Sequence, residues 1–341
     1  MVDTYSLRDK LNEFEPWQRA AILNNTAAIQ LTSHCTVGCK DCGLDAIIGP
    51  ARTNQTIAWD FLVDLQKEFG EDTDYQRISF YFKSDPFDFA SQGRTYRDVH
   101  LLYSPASKTV TSVPVGKEDE IVASLDIIKK ISIHDANRTR ATKLRERVLQ
   151  LDPEYAKLFD ERPRDKVGPQ HIPAPDPKKY HFNFVTFHGV VLTPNGVTNI
   201  QTVPVTAEYP FGFVQTNVTP QNFKIHALTY SPVSSNTFRR EIVTDHYDWI
   251  SNPFEITSQD TIIRPPFDFR YQEFFRDMQH IAFVSAKDRK KITDHFSQLV
   301  QDFKNKKLTP AEALILERLA HVEKDISNSL KKTKRRQPVK A

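Results

Sequence analysis

The spacing of apolar residues changes along this chain, and each change marks an element. Over residues 7–23 apolar positions recur at helical spacing, with Trp17 and Ile22 as packing residues, and predict a helical lead-in. Ala27-Ala28-Ile29-Gln30-Leu31 is a short, nearly continuous apolar run and predicts a buried strand. Ile57, Phe61, Leu62, Leu65 and Phe69 return to helical spacing, with Thr56 placed to cap that helix and Gly70 to stop it. The alternation then repeats as strand 78–82, helix 96–103, strand 109–115, helix 118–130, strand 131–133 and helix 138–151. Successive strand–helix units predict an α/β fold of parallel strands with helices outside, arranged as a full or partial β/α barrel.

The rhythm breaks after Leu151. Pro153, Pro163, Pro169, Pro173, Pro175 and Pro177 cannot occupy helix interiors or central strands, so 152–179 is expected to be a linker. Residues 182–192 alternate aromatic and polar positions, Pro194-Asn195-Gly196 is a hairpin signal, 197–205 returns, and 225–230 is one more strand. From 267 the pattern is helical (271–283, 292–303 and 311–330). Thr309 as N-cap, Pro310 at the first position and Glu312 in a capping box open the last helix. The expected organisation is a lead-in (1–25), a β/α core (26–151) and a linker (152–179). A β-rich region able to complete the barrel (180–265), C-terminal helices (266–330) and a basic tail (331–341) follow.

Composition narrows the partners. No apolar run reaches the roughly 18–20 residues of a membrane span, and residues 1–16 carry no signal pattern, so a cytoplasmic protein is expected. The net charge of +3 is set by the tail: six of the 46 basic residues lie in 331–341, leaving 40 to face 43 acidic ones. The body therefore offers no global electrostatic argument for nucleic acid, which is not an expected partner.

The three cysteines, Cys35, Cys39 and Cys42, all follow the first predicted strand directly. An odd, tightly spaced set is no disulfide framework and points to a metal. Structural zinc closes four positions, usually with two separated pairs of ligands. Here no second pair exists and His34 is too near Cys35 to wrap back, but a distant one of the eleven histidines can complete a zinc site. Three thiolates on a [4Fe–4S] cube instead leave one iron open to a ligand. A loop at the C-terminal end of a first strand is also where barrel folds place active sites.

Cys35-x3-Cys39-x2-Cys42 in that position resembles the signature of the radical S-adenosylmethionine superfamily, over about residues 25–140. The resemblance implies one [4Fe–4S] cluster held by those cysteines and S-adenosylmethionine chelated at the open iron. It also implies an electron donor of flavodoxin or ferredoxin type, and a 5′-deoxyadenosyl radical that abstracts hydrogen from an unidentified substrate. It matches Lys83-Ser84-Asp85-Pro86 to the Gly-Gly-Glu-Pro-like loop that receives the amino group, with Ser84 for a glycine and a shorter acid at Asp85. Ser112, on the third strand, stands where family members often contact the ligand, and Ser132, Asn137 and Arg138 after the fourth resemble residues that bind its ribose and carboxylate. The stretch 184–190 stands for the fifth strand, with His188 facing the cavity. Lys83 departs from the family's glycine, and Asp41 stands where relatives carry an aromatic residue against adenine. The absence of further cysteines limits the chain to one such cluster. The competing expectation is a non-catalytic protein with a structural zinc and a basic tail that meets an acidic partner.

Overall fold

Ser6 closes a capping box with Asp9 to start α1 (Leu7–Asn12), and Pro16 occupies the first turn of α2 (Pro16–Asn24), where its missing N–H costs nothing. The lead-in is thus two helices, broken by the proline. The structure, a computed structural model, describes residues 6–39, 55–70, 75–106, 108–161, 187–203, 212–230 and 255–261, with single positions at 46, 49, 73, 209, 301 and 313.

Strand β1 (Thr26–Ile29) is buried along its whole length. Helix α3 (Trp59–Phe69) starts after Ala58 and not at Thr56, because Thr56 is drawn into an antiparallel bridge with Thr32; Gly70 ends it at φ +83°. A small hairpin of β2 (Ala90–Ser91) and β3 (Arg94–Thr95) leads into α4 (Tyr96–Leu102). Then come β4 (Thr109–Thr111), α5 (Glu118–Val122), β5 (Ile128–Ile133), α6 (Arg138–Leu151) and β6 (Phe159–Glu161). The β-rich part holds β7 (Phe187–Thr193), β8 (Gly196–Thr202), β9 (Phe213–Asn217), β10 (Ile225–His226), β11 (Thr229–Tyr230) and β12 (Glu255–Ile256).

The fold is mixed α/β with parallel strands in two sheets. One sheet runs β1-β7-β8-β9, with β11 also on β7; the other is β4-β5-β6, parallel throughout. Strand β1 runs parallel to β7, pairing Thr26 with Val190 and Ile29 with Leu192. On its other side β1 meets the 78–82 segment at Ser79, through Ile29 N–H to the Ser79 carbonyl (2.8 Å) and Ser79 N–H to the Ala27 carbonyl (2.9 Å). Among the described residues no closed barrel forms.

Four expectations need correction. The strand expected over 78–82 is only a single parallel bridge, Ala28 with Ser79. The stretch read as a linker contains β6, which pairs Phe159 with Ile131 of β5. Pro153 sits at the first turn of a short 3₁₀ helix capped by Asp152, so it opens an element where it was expected to break one. The helix expected over 118–130 stops at Val122. Leu125, Ile127 and Ile128 stay buried, but through a 3₁₀ turn into β5, so burial continues while periodicity changes. The 225–230 strand is two short ones that pair with different partners, β12 and β7. The helices expected beyond 267 and the tail lie outside the described residues, apart from positions 301 and 313.

The two faces of the β1–β7–β8 sheet carry different cores. Ile29, Val190, Leu192 and Val197 join the large cluster under the helices; Ala28, Val191 and Ile200 pack with Phe82 and Phe213 on the opposite face. The close approach of β7 to β1 depends on Gly189, at φ +143°, where a Cβ would lie 2.9 Å from the Asn25 carbonyl oxygen. Val190 N–H donates to that same carbonyl at 2.8 Å. Gly189→Ala is therefore expected to destabilise the protein by about 1–3 kcal/mol, read as a lower urea midpoint. An unchanged midpoint would mean that β7 can shift away from β1 without loss.

Candidate cofactor site

Beyond β1 the chain makes a closed excursion. Its stems are zipped by Ser33 N–H to the Gln55 carbonyl (2.8 Å), Gln55 N–H to Ser33 Oγ (2.9 Å) and Ile57 N–H to the Leu31 carbonyl (3.0 Å). Cys35 and Cys39 lie in this excursion, both half-buried and neither in a disulfide. Cys42 and Asp41 lie outside the described residues; among those described, no three His, Cys, Asp or Glu side chains form a metal-holding group. His34 is turned aside, with Nδ1 2.9 Å from Ser33 Oγ.

Two carboxylates from one 3₁₀ turn (Pro86–Asp88) organise the surroundings. Asp85 caps this turn by accepting from Phe87 N–H (3.1 Å), and it accepts from Thr111 Oγ1 (2.9 and 3.1 Å) and Ser112 N–H (2.6 Å). It thereby joins the loop after the 78–82 segment to the end of β4. Asp88, three residues on, accepts from Thr36 N–H (2.9 Å) and Thr36 Oγ1 (2.5 Å), so it holds the cysteine loop itself. Thr111 Oγ1 in turn accepts from Val113 N–H (3.1 Å). Val113 is buried at φ +54°, left-handed for a β-branched residue that also precedes Pro114. Such strain, about 1–3 kcal/mol, persists where neighbours over-determine it; Arg140 Nε fixes the other side by donating to the Val113 carbonyl (3.2 Å).

Asn137 ties the ends of β4 and β5. Its amide donates to the Ser112 carbonyl (2.6 Å) and the Ser132 carbonyl (2.7 Å), and its Oδ1 accepts from His134 N–H (2.8 Å). Immediately past β5, His134 Nε2 lies 3.1 Å from Cys39 Sγ.

The sequence-derived site residues thus divide. Asp85 and Asn137 are in the expected places but hold loops together, with both Asp85 oxygens engaged and both Asn137 amide hydrogens donated. Ser112 takes part through its backbone N–H and carbonyl. Ser84 and Ser132 keep buried hydroxyls with no partner among the described residues. Arg138 reaches Asp135 at 3.4 Å, an exposed ion pair. His188 is a correction: the pairing of Thr26 with Val190 puts it beside the start of β1, at the end opposite the cysteines. There Nδ1 accepts from Thr202 N–H (3.1 Å) and the ring meets His226 edge-on at 6.2 Å, a buried polar network. Asp88, Thr36 and His134 were not singled out by sequence. The signal for Asp88 was an acid three residues after Asp85, on the far side of one tight turn.

Burial pushes the Cys35 thiol up to about 12, reinforced by the nearby Asp85, Asp88 and Cys39 and opposed by the Val37 N–H. In the metal-free chain this thiol is neutral at pH 7, and a cation must displace its proton to bind. Soft sulfur donors in a half-buried loop, with the Ser84 and Ser132 hydroxyls at neighbouring strand ends, fit an iron–sulfur cluster and a small polar ligand. The chain matches no family model, and no curated protein or solved structure matches it significantly.

Burial also pushes the Asp85 carboxyl up to about 7, against the hydrogen bonds from Ser112, Phe87 and Thr111 and with the charge of Asp88 adding to the rise. Unfolded, the same group releases its proton near 3.8. Between those values the folded state holds the extra proton, so stability falls as pH rises through the window, by a few kcal/mol at most. In the metal-free protein, Asp85→Asn is expected to flatten the decline in Tm from pH 4 to pH 7 relative to the parent. Parallel profiles would show that the three donors keep the carboxylate ionised throughout.

Proposed function

We propose that this protein is a radical S-adenosylmethionine enzyme with one [4Fe–4S] cluster, acting on a substrate still to be identified. The observation that carries the reading is the position of the cysteine loop. It leaves the C-terminal end of β1 and lies against residues following the 78–82 segment (Asp88) and β5 (His134). In this reading the parallel run of β1, the 78–82 segment, β4, β5 and β6 is a partial β/α barrel, and its C-terminal rim is the active site.

When bound, the cluster supplies the electron that breaks a carbon–sulfur bond of S-adenosylmethionine and yields the 5′-deoxyadenosyl radical. The chain's own part is to hold and to exclude. Cys35, Cys39 and Cys42 ligate three irons, and Asp88 fixes the loop between the first two through Thr36. Asp85 and Asn137 lock the neighbouring strand ends so that their positions do not depend on the ligand. The Ser84 and Ser132 hydroxyls donate to the polar groups of S-adenosylmethionine, with Arg138 available to its carboxylate on leaving Asp135. A flavodoxin- or ferredoxin-type protein delivers the electron. Among the described residues no helix is long and apolar enough to cross a membrane.

A second reading is a structural zinc held by the three cysteines and His134. The 3.1 Å approach of His134 Nε2 to Cys39 Sγ favours it. Metal content separates the two. Anaerobic reconstitution is expected to give a brown protein with absorbance near about 400 nm and roughly four irons per chain. Each of Cys35→Ala, Cys39→Ala and Cys42→Ala should lose the intact cluster while keeping the parent circular dichroism. A colourless chain that takes up one zinc and unfolds on loss of any thiol would establish the zinc site instead.

The hydroxyls give a separate test. One neutral hydrogen bond contributes about 1 kcal/mol, so Ser84→Ala with Ser132→Ala should weaken S-adenosylmethionine binding roughly ten- to thirtyfold at unchanged iron content. Parent-like affinity in the double variant would remove both serines from the ligand site.

A further inference from the structure

The contact between His134 and Cys39 has a second consequence, which rests on the cluster reading above. We propose that His134 Nε2–H donates a hydrogen bond to the Cys39 thiolate and thereby sets the reduction potential of the cluster, acting as a positioning and tuning residue and not as a ligand.

His134 Nε2 and Cys39 Sγ are 3.1 Å apart, within reach of a direct N–H···S bond. The imidazole is also launched from a rigid base. Its backbone N–H donates to Asn137 Oδ1 at 2.8 Å, and its carbonyl accepts from Asn137 N–H at 3.1 Å. Asn137 is itself buried and anchored to the Ser112 and Ser132 carbonyls. A donor held this way loses little freedom when it bonds to sulfur, so it is preorganised for the reduced, more negative state.

The charge balance around the loop gives the bond its purpose. Asp85 and Asp88 both act on Cys35, and negative charge beside a cluster opposes the arrival of an electron. A hydrogen bond to a ligating sulfur acts in the other direction, because it stabilises the added charge and raises the potential. The redox step is a single-electron transfer from a reduced flavodoxin- or ferredoxin-type donor to the cluster, with no proton moved at His134. Without this bond one of the donors that offset the two carboxylates is lost, and the cluster becomes harder to reduce.

The test uses the reconstituted full chain and dithionite-poised redox titration followed by electron paramagnetic resonance. His134→Ala is expected to retain the parent iron content and circular dichroism while its midpoint potential moves to more negative values. His134→Gln, whose amide can still donate, should return part of that shift. Equal midpoint potentials in the parent and His134→Ala would overturn the inference while leaving the cluster reading intact. Loss of iron in His134→Ala would make His134 a ligand and overturn it as well. A parent chain that assembles no iron–sulfur cluster would overturn the inference and the reading together.

Discussion

A buried carboxylate with three donors ties the turn after the 78–82 segment to the end of β4. Asp85 takes hydrogen bonds from its own turn, from the Thr111 hydroxyl and from the Ser112 backbone. Left without those donors, the same group would carry a desolvation cost of several kcal/mol. The arrangement is therefore all or nothing: either β4 ends beside the Pro86–Asp88 turn or the turn cannot bury its acid. That requirement fixes the turn, and the turn carries Asp88. Through Thr36, Asp88 then places the cysteine loop, so one tight turn sets both the strand ends and the candidate cofactor site.

The same two acids define what the loop can bind. Beside them Cys35 is protonated in the absence of a cation, so occupation of the site releases protons and gains affinity as pH rises. The fold commits buried hydrogen bonds, from Phe87, Thr111 and Ser112 to Asp85 and from Thr36 to Asp88, to holding both acids in place within the protein.

Local signals were legible in the sequence and long-range ones were not. Helix α6 matched its pattern over Arg138–Leu151, and the Pro194-Asn195 turn joined β7 to β8 with Thr193 opposite Gly196. Both depend on periodicity or turn chemistry within a few residues. The pairing of β7 with β1 joins segments far apart in the chain, and no local pattern carries it. Strand β6 was hidden for a different reason, since prolines on both sides of it suggested irregular chain although Pro153 only starts a turn. Site residues followed the same division. Ser84, Asp85, Ser112, Ser132, Asn137 and Arg138 were singled out by the family resemblance of the segments that carry them. Their roles could not be separated, since a role depends on which partners the fold brings within 3 Å.

Unspent hydrogen-bonding capacity is what separates them. Asn137 donates both amide hydrogens to carbonyls, and Asp85 receives its three donors on both oxygens. Either residue could bind a ligand only by giving up a bond that holds two strand ends together, at a cost comparable to the bond gained. Ser84 and Ser132 are buried beside them with hydroxyls that no described residue satisfies, and such groups persist in a folded protein when something else completes them. Under the proposed function these two hydroxyls would meet S-adenosylmethionine while Asp85 and Asn137 brace the strand ends. That separation keeps the site's geometry the same with and without the ligand, because residues that both brace the fold and bind the ligand would move each time it left.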